Sequence, residues 1–277
     1  MKNYSLGIYE KAMPDDLDIE EKLLIAKDTG YDFLELTIDQ NPAKQERLNW
    51  LKERKSEIRQ FMFENDIFIT TLSLSALRSF PIGSPNRDLE KKGVDFFYKS
   101  IDLAYELGSR VVLVNGYDVF DVESDTTTQD RFLDNLDICT RYAAARGVTI
   151  GLENVDKPFT DSIEKTTDLI KKINSPFLKV YADIGNATNA AKMHNANPIS
   201  DLKTGEGQIV AVHLKDTLPG EYRYVDYGKG HVDFAACVNH LTKSGVGIYM
   251  AELFLTKEKY WKDDLIFTHD FLRKFFS

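Results

Sequence analysis

The chain has only two cysteines, Cys139 and Cys237, in 277 residues, which excludes a small disulfide-stapled fold. Both fall within helical stretches and are expected to be free, buried thiols in a reducing cytoplasm. Long apolar runs are missing as well. No stretch approaches the ~18 residues of a membrane span, and Met1-Lys2-Asn3-Tyr4-Ser5-Leu6-Gly7 lacks the apolar core of a signal peptide. A soluble, cytoplasmic protein with no membrane partner is expected. Positive charge is not in surplus either: 35 Lys and Arg against 44 Asp and Glu give a net charge of −9, which argues against a nucleic-acid partner. A local basic pocket for a small phosphate ester is compatible with that balance. No Pro/Gly/Ser-rich linker interrupts the chain, so residues 1–277 are expected to form one domain.

What fills the chain instead is an alternation repeated eight times. Short apolar runs at about 4–9, 32–37, 67–73, 110–115, 148–153, 178–183, 209–214 and 247–253 read as strands. Between and after them, residues 16–29, 46–65, 88–107, 127–146, 162–173, 197–205, 233–244 and 260–276 carry helical periodicity. Several helices run into a glycine directly before a strand, as in Thr29-Gly30-Tyr31, Arg146-Gly147-Val148 and Ser244-Gly245-Val246. Glycine closes a helix in the left-handed conformation at no steric cost. Near-continuous apolar strands are buried on both faces, and eight strand–helix units in one domain predict a (β/α)8 TIM barrel of the α/β class. A doubly wound sheet is the rival, but Gly228-Lys229-Gly230 does not sit between a strand and a helix as a dinucleotide fingerprint would.

Barrel chemistry gathers at the carboxyl ends of the strands. Four chemically capable residues stand there on successive units: Glu153, Asp183, His213 and Glu252. Neighbouring strands lie ~4.8 Å apart, so these side chains can reach one ion. The set is oxygen-rich and lacks thiolate, which favours Mn²⁺ or Mg²⁺ over Zn²⁺ or Co²⁺ as the divalent cofactor. Glu153 and Glu252 flank the arc. Two carboxylates on opposite faces of a ketose α-carbon give epimerisation, whereas one base on a single face gives aldose–ketose isomerisation.

Beyond this constellation the chain resembles the L-ribulose-5-phosphate (L-xylulose-5-phosphate) 3-epimerase family of xylose-isomerase-like barrels, over nearly its whole length. Gly7-Ile8-Tyr9-Glu10-Lys11-Ala12, Leu72-Ser73-Leu74-Ser75-Ala76, Arg78, Phe80-Pro81 and Gly83-Ser84 carry the resemblance in the first half. Gly116-Tyr117-Asp118-Val119, Asp183-Ile184-Gly185-Asn186, His213-Leu214-Lys215-Asp216-Thr217 and Gly228-x-Gly230-x-Val232-Asp233-Phe234 carry it in the second. The resemblance implies metal ligands at Glu153, Asp183, His213 and Glu252, with Glu153 and Glu252 also serving as acid and base. It implies an isomerase acting on a small sugar phosphate; hexulose-6-phosphate isomerase is the neighbouring alternative. One departure stands out: Leu77 occupies a position where that family leads one to expect histidine.

Substrate-binding candidates are Lys11, Arg78, Asn186 and Lys215, with Ser84 beside them on the long 74–88 segment expected to fold over the mouth. Glu35, at the end of the second strand, either contacts substrate or braces the barrel. His194, His231, His240 and His269 lie outside strand ends and are expected to be ordinary residues, with His231 the nearest to an exception. A homodimer is the expected assembly.

Overall fold

A computed structural model describes residues 3–255 and 260–276. Eight parallel strands close into a barrel in chain order: β1 (Ser5–Tyr9), β2 (Phe33–Thr37), β3 (Phe68–Ser73), β4 (Val111–Asn115), β5 (Thr149–Glu153), β6 (Leu178–Asp183), β7 (Ile209–Leu214) and β8 (Ile248–Ala251). The helices are α1 (Ile19–Asp28), α2 (Pro42–Gln45), α3 (Lys52–Asn65), α4 (Arg87–Leu107), α5 (Thr126–Ala144), α6 (Ile163–Ile173), α7 (Ile184–Met193), α8 (Pro198–Thr204), α9 (Phe234–Lys243) and α10 (Trp261–Arg273). The (β/α)8 expectation is met.

Helix boundaries follow local chemistry. Asp18 closes a capping box with Glu21 at the start of α1, and Gly108 at φ 81° ends α4 before β4. The expected 46–65 helix is shorter, because Trp50 and Leu51 are extended and α3 begins only at Lys52. Two helices were not expected: the single-turn α2 at Pro42–Gln45, and α7, which follows Asp183 immediately and buries every residue from Ile184 to Ala191. A helix with no wet face shows no amphipathic period, so the sequence pattern offers nothing to detect.

Between strands and helices lies the main apolar layer, with Leu6, Leu34, Leu72, Val112, Leu152 and Val180 facing outward onto Leu23, Ile101, Phe132 and Leu265. Inside the barrel, Tyr9, Phe33 and Met250 form one cluster and Val111, Leu113, Tyr181 and Ala211 another. The fit is tight enough to dictate a glycine. A Cβ at Gly7 would meet the Phe33 ring at 2.4 Å, so a side chain on β1 would drive that ring out of the interior. Both cysteines are buried and unpaired, and burial pushes their thiols up to about 12.

The 74–88 segment opens with a single 3₁₀ turn, Ser75–Arg78, and then packs down. Asn135 donates to the Ile82 carbonyl at 2.7 Å, and Arg131 to those of Gly83 and Ser84 at 3.1 and 3.0 Å. Pro81 to Ser84 are buried. The segment is therefore a fixed strap tied to α5. Among the described residues, no helix is long and apolar enough to cross a membrane.

Candidate metal and acid–base centre

Register brings the four strand-end residues together. Asn115 pairs with Glu153 across β4 and β5, and Asp183 with His213 across β6 and β7. Glu252 lies one residue beyond β8, its N–H still donating to the Leu214 carbonyl at 2.9 Å. Glu153, Asp183, His213 and Glu252 each offer a ligand atom within 4.8 Å of the others, and all four are buried. The spatial convergence expected from their positions is present.

Neighbouring groups fix each of these side chains. His213 Nδ1 lies 2.8 Å from Glu153 Oε1 and 3.6 Å from Glu252 Oε2, while Nε2 lies 2.9 Å from Glu35 Oε1. Glu35 in turn accepts from Thr71 Oγ1 at 2.7 Å and from the Tyr181 hydroxyl at 2.8 Å. Glu35 thus holds the His213 imidazole at Nε2. Asn115 Nδ2 donates to Glu153 Oε2. Asp183 caps α7, its Oδ1 accepting from the Asn186 N–H at 2.9 Å, and the Asn154 side chain holds the Asp183 backbone at both its N–H and its carbonyl.

Asn115, Asn154 and Tyr181 were not among the expected site residues. A signal existed for Asn115, because it ends an apolar run at the same strand position as Glu153. Asn154 and Tyr181 are legible only once the barrel is closed.

Lys215 lies at the centre of the cluster. Its Nζ is 2.6 Å from Asp183 Oδ2 and 2.9 Å from Glu252 Oε2. It does not pair with Asp216, which instead accepts from the N–H groups of Gly228 and Gly230 at 2.9 Å each and shapes the loop after β7. Burial would lower the Lys215 ammonium, yet Asp183, Glu252 and Glu153 carry it above its ordinary value. Burial pushes the Asp183 carboxyl up to about 7 against the pull of Lys215. Burial also raises Glu252, but Lys215 and then His213 outweigh it and hold that carboxyl well below the usual range. The His213 imidazole is lowered by burial and raised further by Glu35 and Glu252, ending well above its ordinary value.

The donor set fits a divalent cation. Asp183 Oδ2 and Glu252 Oε2 are buried and receive no well-directed hydrogen bond; both face the Lys215 ammonium, and Glu252 Oε2 also lies 3.6 Å from His213 Nδ1. Buried carboxylate oxygens left in that state favour a cation.

The other candidates lie around the mouth. Lys11 Nζ pairs with Asp39 at 3.0 Å and lies 3.4 Å from Ser75 Oγ. It lines a groove of about 750 Å³ together with Asp15, Asp16, Asp39, Tyr224 and Phe254. Arg78 stacks its guanidinium over Tyr117, 5.5 Å from the ring centroid, and near Phe120 at 5.9 Å. Asn186 is buried, with its side-chain amide donating to the Asn154 carbonyl at 2.8 Å. The remaining histidines stay outside the cluster: His231 meets Thr217 Oγ1 at 3.1 Å, and His194 meets Asp161 at 3.0 Å.

Residues 23–274 match the family described as xylose isomerase-like TIM barrel. The chain is 36% identical over 257 residues to L-ribulose-5-phosphate 3-epimerase UlaE of Escherichia coli, covering 91% of this chain and 88% of that one. Among solved structures it resembles D-psicose 3-epimerase from Clostridium cellulolyticum H10, with a TM-score of 0.81 at 15% identity and 99% of each chain covered. It also resembles an L-ribulose 3-epimerase, with a TM-score of 0.76 at 19% identity, covering 98% of this chain and 93% of that one. The two structural likenesses carry the fold, and the sequence relationship carries the family. The chain belongs to the L-ribulose-5-phosphate 3-epimerase family of xylose isomerase-like TIM barrels.

Proposed function

We propose that this enzyme is a metal-dependent 3-epimerase that interconverts L-ribulose 5-phosphate and L-xylulose 5-phosphate by proton transfer between two bases. The observation that carries this reading is the placement of Glu153 and Glu252. Both approach His213 Nδ1, at 2.8 and 3.6 Å, from strands at the two ends of the β5–β8 arc. A substrate carbon lodged between them meets one carboxylate on each face.

Glu153, Asp183, His213 and Glu252 would hold the cation, with Mn²⁺ or Mg²⁺ suited to so oxygen-rich a set. When bound, it supplies Lewis acidity toward the carbonyl and neighbouring hydroxyl oxygens of a ketose. One glutamate removes the C3 proton, leaving an enediolate, and the other returns a proton to the opposite face. Asn115 keeps the Glu153 carboxylate aimed by occupying its second oxygen. Glu35, backed by Tyr181 and Thr71, fixes the tautomer and tilt of His213. Burial of the whole set excludes water that would otherwise reprotonate at random. The name of the Escherichia coli relative supplies the substrate in this reading.

Turnover of L-ribulose 5-phosphate in D₂O, followed by NMR, tests it. Deuterium should enter at C3, with L-xylulose 5-phosphate accumulating. Label at C1 or C2 with an aldose product would instead make the enzyme an aldose–ketose isomerase.

A further inference from the structure

We infer that the loop from Thr217 to Val232, tied at its root by Asp216, holds Tyr224 in a strained conformation as a wall of the substrate entrance; this deepens the reading above and rests on it. Asp216 is thereby a positioning residue. The strain is visible in the backbone. Four non-glycine residues among those described have a left-handed φ, and three of them, Asp66, Asn174 and Asn195, stand at the ends of α3, α6 and α7. Asp and Asn enter that region at little cost. The fourth is Tyr224 at φ 63°, a bulky side chain in mid-loop. Such a residue stays there only where its surroundings over-determine it.

The ties lie on both sides of it. Asp216 is buried, and Lys215 beside it turns away to Asp183 and Glu252. Backbone groups satisfy the Asp216 carboxylate instead. Its Oδ2 accepts from the Gly228 and Gly230 N–H groups at 2.9 Å each, and its Oδ1 from those of Thr217 and Val232 at 3.0 and 3.3 Å. One carboxylate thus gathers both ends of the loop. A Cβ at Gly230 would collide with Asp216 Oδ1, so only glycine fits there. Further out, the Asn189 side chain on α7 donates to the Glu221 carbonyl at 3.3 Å and accepts from the Gly220 N–H at 3.0 Å. Next to Tyr224, Arg223 lies 3.5 Å from the Tyr117 hydroxyl and 3.6 Å from Asp156 Oδ2.

These ties deliver Tyr224 to a defined place. Its ring lies 5.4 Å from that of Phe254; Phe254 lies 6.0 Å from Tyr9, and Tyr9 lies 6.0 Å from the His213 ring. An aromatic file therefore runs from the exposed Tyr224 down to the imidazole of the metal and acid–base centre. Tyr224 and Phe254 also line the groove beside β1, together with Lys11, Lys44 and Asp39. A sugar entering the centre passes this wall, and a slack loop would leave it without one side of its seat.

The test compares the wild type with Asp216→Asn, Gly230→Ala and Tyr224→Gly. Steady-state kinetics with L-ribulose 5-phosphate, Mn²⁺ titration calorimetry, thermal melting and timed trypsin digestion are read on each. Asp216→Asn sets an amide N–H against backbone donors, and Gly230→Ala wedges the same contact from the other side. Both should raise KM about 10-fold, with kcat and Mn²⁺ affinity close to wild type. Trypsin should cut both after Arg223 or Lys229 faster than it cuts the wild type. Tyr224→Gly should also raise KM yet melt no lower than wild type, because glycine adopts φ 63° without strain. Wild-type KM in the folded loop variants would overturn the assignment whatever the trypsin rates. So would a loss of Mn²⁺ affinity with KM unchanged, which would make Asp216 a brace for His213. If the wild type leaves L-ribulose 5-phosphate unchanged, the epimerase reading fails by itself. The loop assignment then rests on digestion and melting: faster cutting of Asp216→Asn with an undiminished Tyr224→Gly melting temperature upholds it, and the absence of either removes it.

Discussion

Two buried charge clusters sit at the same end of this barrel, and they are balanced in opposite ways. Under β1 and β2, Glu10 is fully buried; its Oε2 accepts from Arg47 at 2.7 Å and from the Thr37 N–H at 2.8 Å, with Lys22 and Lys44 3.6 and 3.8 Å from Oε1. With Asp15, Asp39 and Lys11 added, the cations there outnumber the carboxylates. Over β5–β8 the reverse holds: Glu35, Glu153, Asp183 and Glu252 surround only His213 and Lys215. The first cluster supplies its own counter-charge and braces the first two staves. The second is short of positive charge at its centre, where a divalent cation has a place. Buried acids alone do not mark a metal site; the local imbalance does.

Four substitutions sharpen this contrast. Glu153→Gln and Glu252→Gln should each lower the epimerisation rate by about 10²- to 10⁴-fold, the range of a lost general base, with melting temperatures close to wild type. Near-normal turnover by either variant would remove the two-base mechanism. A smaller but structural effect is expected from Glu10→Ala, which strands Lys22 and Arg47 without a buried partner. It should cost about 3–5 kcal/mol in denaturant unfolding while leaving cation affinity unchanged, whereas Lys215→Met should destabilise the chelated protein and lose much of that effect once Mn²⁺ is added. If Glu10→Ala weakened cation binding, the two clusters would not be separate.

The smallest effect concerns pH. The folded-state pKa of His213 is raised above its unfolded value, so its contribution is fully present below about pH 6.5 and is lost as pH rises through the raised value. Chelated protein should therefore lose stability as pH rises from neutral toward pH 9, and His213→Gln should flatten that slope.

Much of this was legible in the sequence, for identifiable reasons. All eight strands are apolar runs because both faces are buried, and a chemical residue at the end of such a run stands out. Glu153, Asp183 and His213 are the last or next-to-last residues of their strands, and Glu252 directly follows its own. The α7 helix was illegible because it is buried on all sides. The position of Lys215 could not be read either, since pairing with the adjacent Asp216 or orienting His213 is equally consistent with the local sequence. Leu77, where histidine was expected, is buried in the core at 4% exposure, so this chain places an apolar packing residue at that position.

The most direct measurement is diffraction from crystals soaked in Mn²⁺, read at the manganese anomalous edge. One strong peak per chain is expected, within about 2.0–2.2 Å of oxygens from Glu153, Asp183 and Glu252 and of a His213 ring nitrogen, with the Lys215 ammonium withdrawn. A peak elsewhere, or none with Lys215 still bridging Asp183 and Glu252, would contradict it.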